Sequence, residues 1–134
     1  MMPRNFSTYF FALKKVWELH TKLGFGETPN IPSGFSERLC RHLFKLPNPT
    51  NRVFDAGNNT EIKATGSVYG RSTISNSANF SVLYWLYFDF ANDSVQIYKL
   101  PIDCFRLKGG KGRSSIRLAK IVKDHNITPQ IIKF

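Results

Sequence analysis

The eleven residues Phe80–Phe90, reading FSVLYWLYFDF, constrain this chain more than any other segment. Aromatic and β-branched side chains crowd the run with no strict polar alternation. A half-buried strand shows such alternation, so the run reads as a central strand covered on both faces. It is too short for a membrane. The longest apolar stretch, Val82 to Phe88, is far below the roughly 20 residues that cross a bilayer. A strand covered twice needs elements to cover it, and 134 residues supply one compact domain.

The flanking sequence offers those elements. Phe6–Leu23 places Phe6, Phe10, Leu13 and Trp17 at three-to-four spacing, which predicts an amphipathic helix stopped by Gly24 or Gly26. Glu27–Gly34 reads as loop. Ser36 is a suitable N-cap for a second helix, Glu37–Leu46, with Leu39, Cys40, Leu43 and Phe44 on one side and Pro47 to end it. From Arg52 the period changes to two. Val53–Asp55 and Thr60–Thr65 read as strands joined by a hairpin turn at Ala56–Asn59. Gly66–Asn79 is dense in Ser, Gly, Asn and Thr and reads as a long polar loop. After the central strand, Asn92–Asp93 turns into another strand, Val95–Leu100, closed by Pro101. A basic loop, Arg106–Arg113, leads to a third helix, Ser114–Asp124, and Ile127–Phe134 reads as a final strand. The order implies an α+β fold: a central mixed β-sheet, a β-meander plus a further strand, flanked by α-helices. Residues 1–32 form a helical extension, and residues 33–134 the core of a single domain.

Charge narrows the function classes. With 42% hydrophobic and 21% charged residues, disorder is excluded as the general state. The net charge is +10, and the segment from Lys99 to the end carries +7 of it, from nine basic residues and two acids. A small domain with that excess favours polyanionic partners, nucleic acid before anionic membrane. Cys40 and Cys104 belong to no CxxC pair and cannot form a disulfide framework. The apolar stretch Tyr9–Leu13 stops at Lys14–Lys15 without a small-residue cleavage site, so a cytoplasmic protein is expected.

The chain has nine carboxylates, so their placement is informative. In a strand, residues i and i+2 share a face, so Glu61 and Lys63 point one way while Ile62 enters the core. The hairpin at Gly57–Asn58 brings Asp55 beside Glu61. Two carboxylates and an ammonium then meet on one patch. A carboxylate pair offers hard oxygen ligands to Mg²⁺, which takes the rest of its shell from water and a phosphate. Such a metal lowers the pKa of a bound water and shields the phosphate, and a lysine orients that water or stabilises developing charge.

Asp55, Glu61–Ile62–Lys63 and the following Ala64–Thr65 resemble the motif of PD-(D/E)XK nucleases, particularly small type II restriction endonucleases. The helix Phe35–Phe44, with Glu37 near its start, is similar to the helix that precedes the motif and often adds an acidic residue. Leu83–Phe90 and Val95–Pro101 resemble the strands that follow. The likeness spans roughly residues 33–117, and Phe54 stands where the family has its proline. The resemblance implies a restriction-endonuclease-like core and Mg²⁺-dependent cleavage of double-stranded DNA at a short specific sequence, leaving 5′-phosphate ends. Asp55 and Glu61 would hold the metal, with water activated near Lys63. Glu37 reads equally as a further ligand or as an acid at a helix N-terminus. One active site per chain implies a homodimer, and a DNA methyltransferase would be the genetic partner. Two alternatives stand beside this reading: a structure-specific nuclease of the same superfamily, such as a Holliday junction resolvase, and a non-catalytic DNA-binding module.

The remaining candidates concern contact with DNA. The Gly66–Asn79 segment follows the motif directly, and Arg71, Ser72, Asn76 and Asn79 carry side chains that read base edges. Lys108, Lys111, Arg113 and Arg117 are suited to phosphates, which fix register rather than sequence. The glycine-rich Lys108–Ser115 lacks GxxxxGK[ST] spacing and is not a nucleotide loop. His20, His42 and His125 have no second ligand at zinc spacing. Cys40 falls on the apolar side of its helix, and the aromatic run suits a buried strand better than a base-stacking platform.

Overall fold

A computed structural model describes residues 2–25 and 28–134; the expected stop at Gly26 lies outside these. The N-terminal periodicity produces α1, Arg4–Leu23, which ends on Gly24 in the left-handed conformation (φ 70°). Glycine adopts that conformation without the cost a Cβ would impose. The second helix, α2, spans Ser33–Phe44 and starts three residues before the expected cap. Pro32 supplies the cap position, its carbonyl accepting from the Phe35 and Ser36 amides. Ser36 is therefore inside the first turn and buried, its hydroxyl turned back on the Ser33 carbonyl at 3.2 Å.

The strands are β1 Thr60–Thr65, β2 Arg71–Ser75, β3 Val82–Asp89, β4 Ser94–Pro101, β5 Arg113–Arg117 and β6 Gln130–Lys133, with α3, Leu118–Asp124, between the last two. A four-stranded mixed sheet has the order β1–β3–β4–β6, and β2 pairs with β5 in a separate antiparallel ribbon. The architecture is α+β, with a mixed central sheet flanked by helices.

Both faces of β3 are buried, as its sequence requires. Tyr84, Leu86 and Phe88 join Ile62, Val95 and Ile97 against Phe10 and Leu13 of α1 and Phe35, Leu39 and Cys40 of α2. Leu83 and Trp85 face the other way, against Ile74 of β2, Leu118 of α3, and Phe80, Tyr98, Leu100 and Phe105. Each large side chain buried in this way contributes about 1.5–3 kcal/mol. Phe10 stacks on Phe134 with ring centroids 4.3 Å apart, which ties α1 to the C-terminus. Trp85 stacks on Tyr98, and its indole N–H donates to Thr65 Oγ1 at 2.9 Å, so no buried donor is stranded.

Three local expectations are corrected. Val53–Asp55 is not a strand: the hairpin shrinks to one bridge between Ala56 and Thr60. Gly57, at φ 55°, donates its amide to the Pro47 and Asn48 carbonyls, which pulls the segment away from β1. Second, Gly66–Asn79 is not all loop. β1 runs parallel to β3, and parallel neighbours need a crossover; here the crossover carries β2. Third, residues 114–117 are strand rather than helix, because they complete the ribbon with β2. Ile116 and Ile74 are its inward apolar anchors, and α3 begins only at Leu118. The final strand is shorter than expected, Gln130–Lys133, antiparallel to β4.

Candidate active site

Glu61 and Lys63 occupy one face of β1 while Ile62 enters the core, as the period-two argument requires. β1 is an edge strand, so its free backbone groups need partners. Asp55 supplies them without forming a strand. Its amide donates to the Thr60 carbonyl at 2.9 Å, and its Oδ2 accepts from the Ile62 amide at 2.7 Å. A side chain thus replaces a ladder bond and places the Asp55 carboxylate beside the motif strand.

The helix α2 brings the other two groups. Glu37 and Arg41 are four residues apart and share a face. The Arg41 guanidinium donates to the Asp55 carbonyl at 2.8 Å, which fastens the Asp55 segment to the helix. The Glu37 carboxyl lies close enough to the Asp55 carboxyl for each to bear on the other's proton. Burial first, then Asp55, push Glu37 up to about 7, against the pull of Arg41. Glu61 is likewise pushed up to about 7 by burial and by Asp55, with Lys63 and Arg113 opposing. Burial is thus the leading cause for both glutamates and Asp55 the negative neighbour they share, and perturbed carboxyls beside a pocket make a candidate site.

A pocket of about 280 Å³ opens beside them, lined by Phe54, by Glu61 and Lys63 of β1, by Thr73 and Ser75 of β2, and by Arg113 of β5. Asp55 and Glu37 do not line it. Arg113, from the basic C-terminal segment, is the expected phosphate contact that the tertiary structure brings to the carboxylates. Sequence reasoning missed Arg41, although its i+4 spacing from Glu37 was a usable signal.

The other candidates divide. Ser72 turns inward and is buried opposite Ile116, because inward and outward residues alternate along the ribbon. Its expected role at base edges does not fit that placement. Asn76 is occupied internally: its side chain accepts from the Ser114 hydroxyl and donates to the Lys111 carbonyl, and its backbone holds Gly109 and Gly112. It braces the basic loop instead of projecting from it. Lys108 and Lys111 are exposed on that braced loop, and Asn79 lines the pocket. Arg71 and Arg117 are exposed at the far end of the ribbon from Arg113. Cys40 is buried in the helical core, and burial pushes its thiol up to about 12, which leaves it unreactive.

Among the described residues, no three His, Cys, Asp or Glu side chains form a ready-made metal cage. Mg²⁺ does not require one, since it takes one or two carboxylates and completes its shell with waters and a substrate phosphate. Asp55 and Glu61 carry oxygens of the kind Mg²⁺ takes, and the Asp55 charge adds to burial in pushing Glu61 up. Comparison with known protein families, with curated proteins and with solved structures finds no match for this chain.

Proposed function

We propose that the protein is a Mg²⁺-dependent endodeoxyribonuclease of the type II restriction class, built on a restriction-endonuclease-like core and cutting double-stranded DNA. The observation that carries this reading is the proximity of Glu37, Asp55 and Glu61, with Glu61 lining one pocket together with Lys63 and Arg113. Carboxylates gathered in this way in a chain of net charge +10 suit a substrate that is a polyanion and a cation that bridges the two.

Asp55 and Glu61 would hold the Mg²⁺, with Glu37 as a further contact. When bound, the ion acidifies a water and neutralises charge on the phosphate. Lys63 Nζ, on the same face as Glu61, orients the attacking water and stabilises charge on the non-bridging phosphate oxygens. The water oxygen bonds to phosphorus as the bond to the 3′ oxygen breaks. The water's proton passes to solvent and the 3′ oxygen takes one, leaving 5′-phosphate and 3′-hydroxyl ends. Arg113, with Lys108 and Lys111 on the braced loop, holds neighbouring phosphates. One such site per chain cuts one strand, so a homodimer acts on a symmetric sequence, with a DNA methyltransferase protecting that sequence in the cell.

The test is digestion of unmethylated plasmid and phage DNA with Mg²⁺, alongside EDTA and Lys63→Ala controls, with the product ends sequenced. Discrete bands absent from both controls are expected. Cleavage of four-way junctions but not linear DNA would replace the reading by a junction resolvase. Binding without any cleavage would leave a DNA-binding module and sink the nuclease.

A further inference from the structure

At the end of the ribbon far from the carboxylates lies a second, larger groove of about 870 Å³, lined by Arg71, Arg106, Arg117 and Lys120 together with Ser115 and Asp124. Its single acid is committed, since Asp124 pairs with Lys120 at 2.7 Å. The ion pairs among the described residues, Lys14–Asp93 and Lys120–Asp124, leave Arg71, Arg106 and Arg117 uncompensated. Moreover, Arg71 and Arg117 are direct cross-strand partners. Like charges facing each other across an antiparallel pair destabilise it, so the fold retains a local cost here. Arg71 is also held in place: its Nε donates to Ser115 Oγ at 2.9 Å and its Nη2 to the Ser115 carbonyl at 3.0 Å. The donors that remain on this fixed guanidinium are available to an anion.

We propose that this groove is a second phosphate-binding site that anchors the nucleic-acid backbone away from the cleavage pocket. The inference rests on the nuclease reading, because that reading supplies the polymer joining the two sites. Arg113, Ser115 and Arg117 alternate along β5 on its outward side. Arg113 lines the carboxylate pocket and Arg117 the groove. Four residue steps along the strand set these two arginines about 14 Å apart, which equals about four base-pair steps of duplex. The ribbon's outward face therefore forms a basic track between pocket and groove, suited to a run of phosphates rather than to one ion. Arg106 and Lys120 join the contact set as residues that position substrate; they touch no reacting atom.

The experiment uses the full chain and an Arg106→Gln/Arg117→Gln double variant. Affinity for a labelled duplex is read by fluorescence anisotropy across a KCl series in EDTA, and Mg²⁺ digestions run in parallel. Loss of two phosphate contacts should raise the Kd several-fold and lower the slope of log Kd against log salt by about 1.8. A melting temperature equal to or above that of the unsubstituted chain would exclude misfolding, since the change removes a like-charge pair. An unsubstituted chain that cuts DNA, with an unchanged slope in the variant, would overturn the groove and leave the nuclease reading standing. Binding without cutting would overturn the nuclease reading, and the slope would still decide the groove. Inorganic phosphate at matched ionic strength provides the last arm. If it displaces duplex from the unsubstituted chain but not from the variant, the groove takes free phosphate and the backbone assignment fails.

Discussion

Replacing Glu61 by Gln is expected to stabilise the protein in metal-free buffer, by an amount that depends on pH. Burial and the Asp55 carboxylate push Glu61 from its ordinary 4.5 up to about 7, net of Lys63 and Arg113. A carboxyl whose folded pKa lies above its unfolded one binds its proton more tightly in the native state. Its contribution to stability is therefore whole below about pH 4.5 and is lost as the pH rises through about 7. Moving a pKa that far corresponds to about 3.4 kcal/mol at full strength. Glu61 is partly open to the pocket, so solvent screening reduces this to about 1–2 kcal/mol. Gln keeps the shape and removes the charge. At about 3 °C per kcal/mol for a domain of this size, the variant should melt about 3–6 °C above the unsubstituted protein at pH 8 in EDTA. The gap should close towards pH 4.5. Calorimetric melts across that range make the measurement. Equal melting at pH 8, or an offset that does not vary with pH, would refute the account of how these carboxylates interact.

Millimolar Mg²⁺ should raise the melting temperature of the unsubstituted protein at pH 8 and leave Glu61→Gln nearly unmoved, since a cation that binds only the folded state stabilises by mass action; equal gains in both would place the ion elsewhere. With Glu37 and Glu61 both near 7, the cleavage rate should climb between about pH 6 and about pH 8 as the acids ionise, and a flat profile would count against them as ligands. Gly57→Ala should cost about 1–3 kcal/mol in urea unfolding, because φ is 55° and the new Cβ would stand 3.2 Å from Pro47 Cγ. An unchanged midpoint would show that the turn does not hold Asp55 in place.

What the sequence determines by itself is set by local physics. The aromatic and β-branched run Phe80–Phe90 lacks polar alternation and reads as a strand buried twice, and β3 is that strand. The three-to-four spacing of α1 and the i, i+2 relation of Glu61 and Lys63 are legible for the same reason: side-chain direction follows backbone period. Tertiary structure decided the rest. Arg71–Ser75 has one large apolar side chain, Ile74, and nothing local marks it as strand; it becomes one by pairing with β5, some forty residues away. Residues 114–117 change from helix to strand through that same pairing. Asp55 was expected at the carboxylate site through a hairpin ladder. It arrives there through its own side chain on the β1 edge and an Arg41 bond from α2. Period and propensity act over a few residues, whereas an edge strand takes whichever donor or acceptor the folded chain brings to it. For that reason many of the charged residues could be named from the sequence, but not the bond from Arg41 to the Asp55 segment or the meeting of Arg71 and Arg117 with Arg106 and Lys120 in one groove.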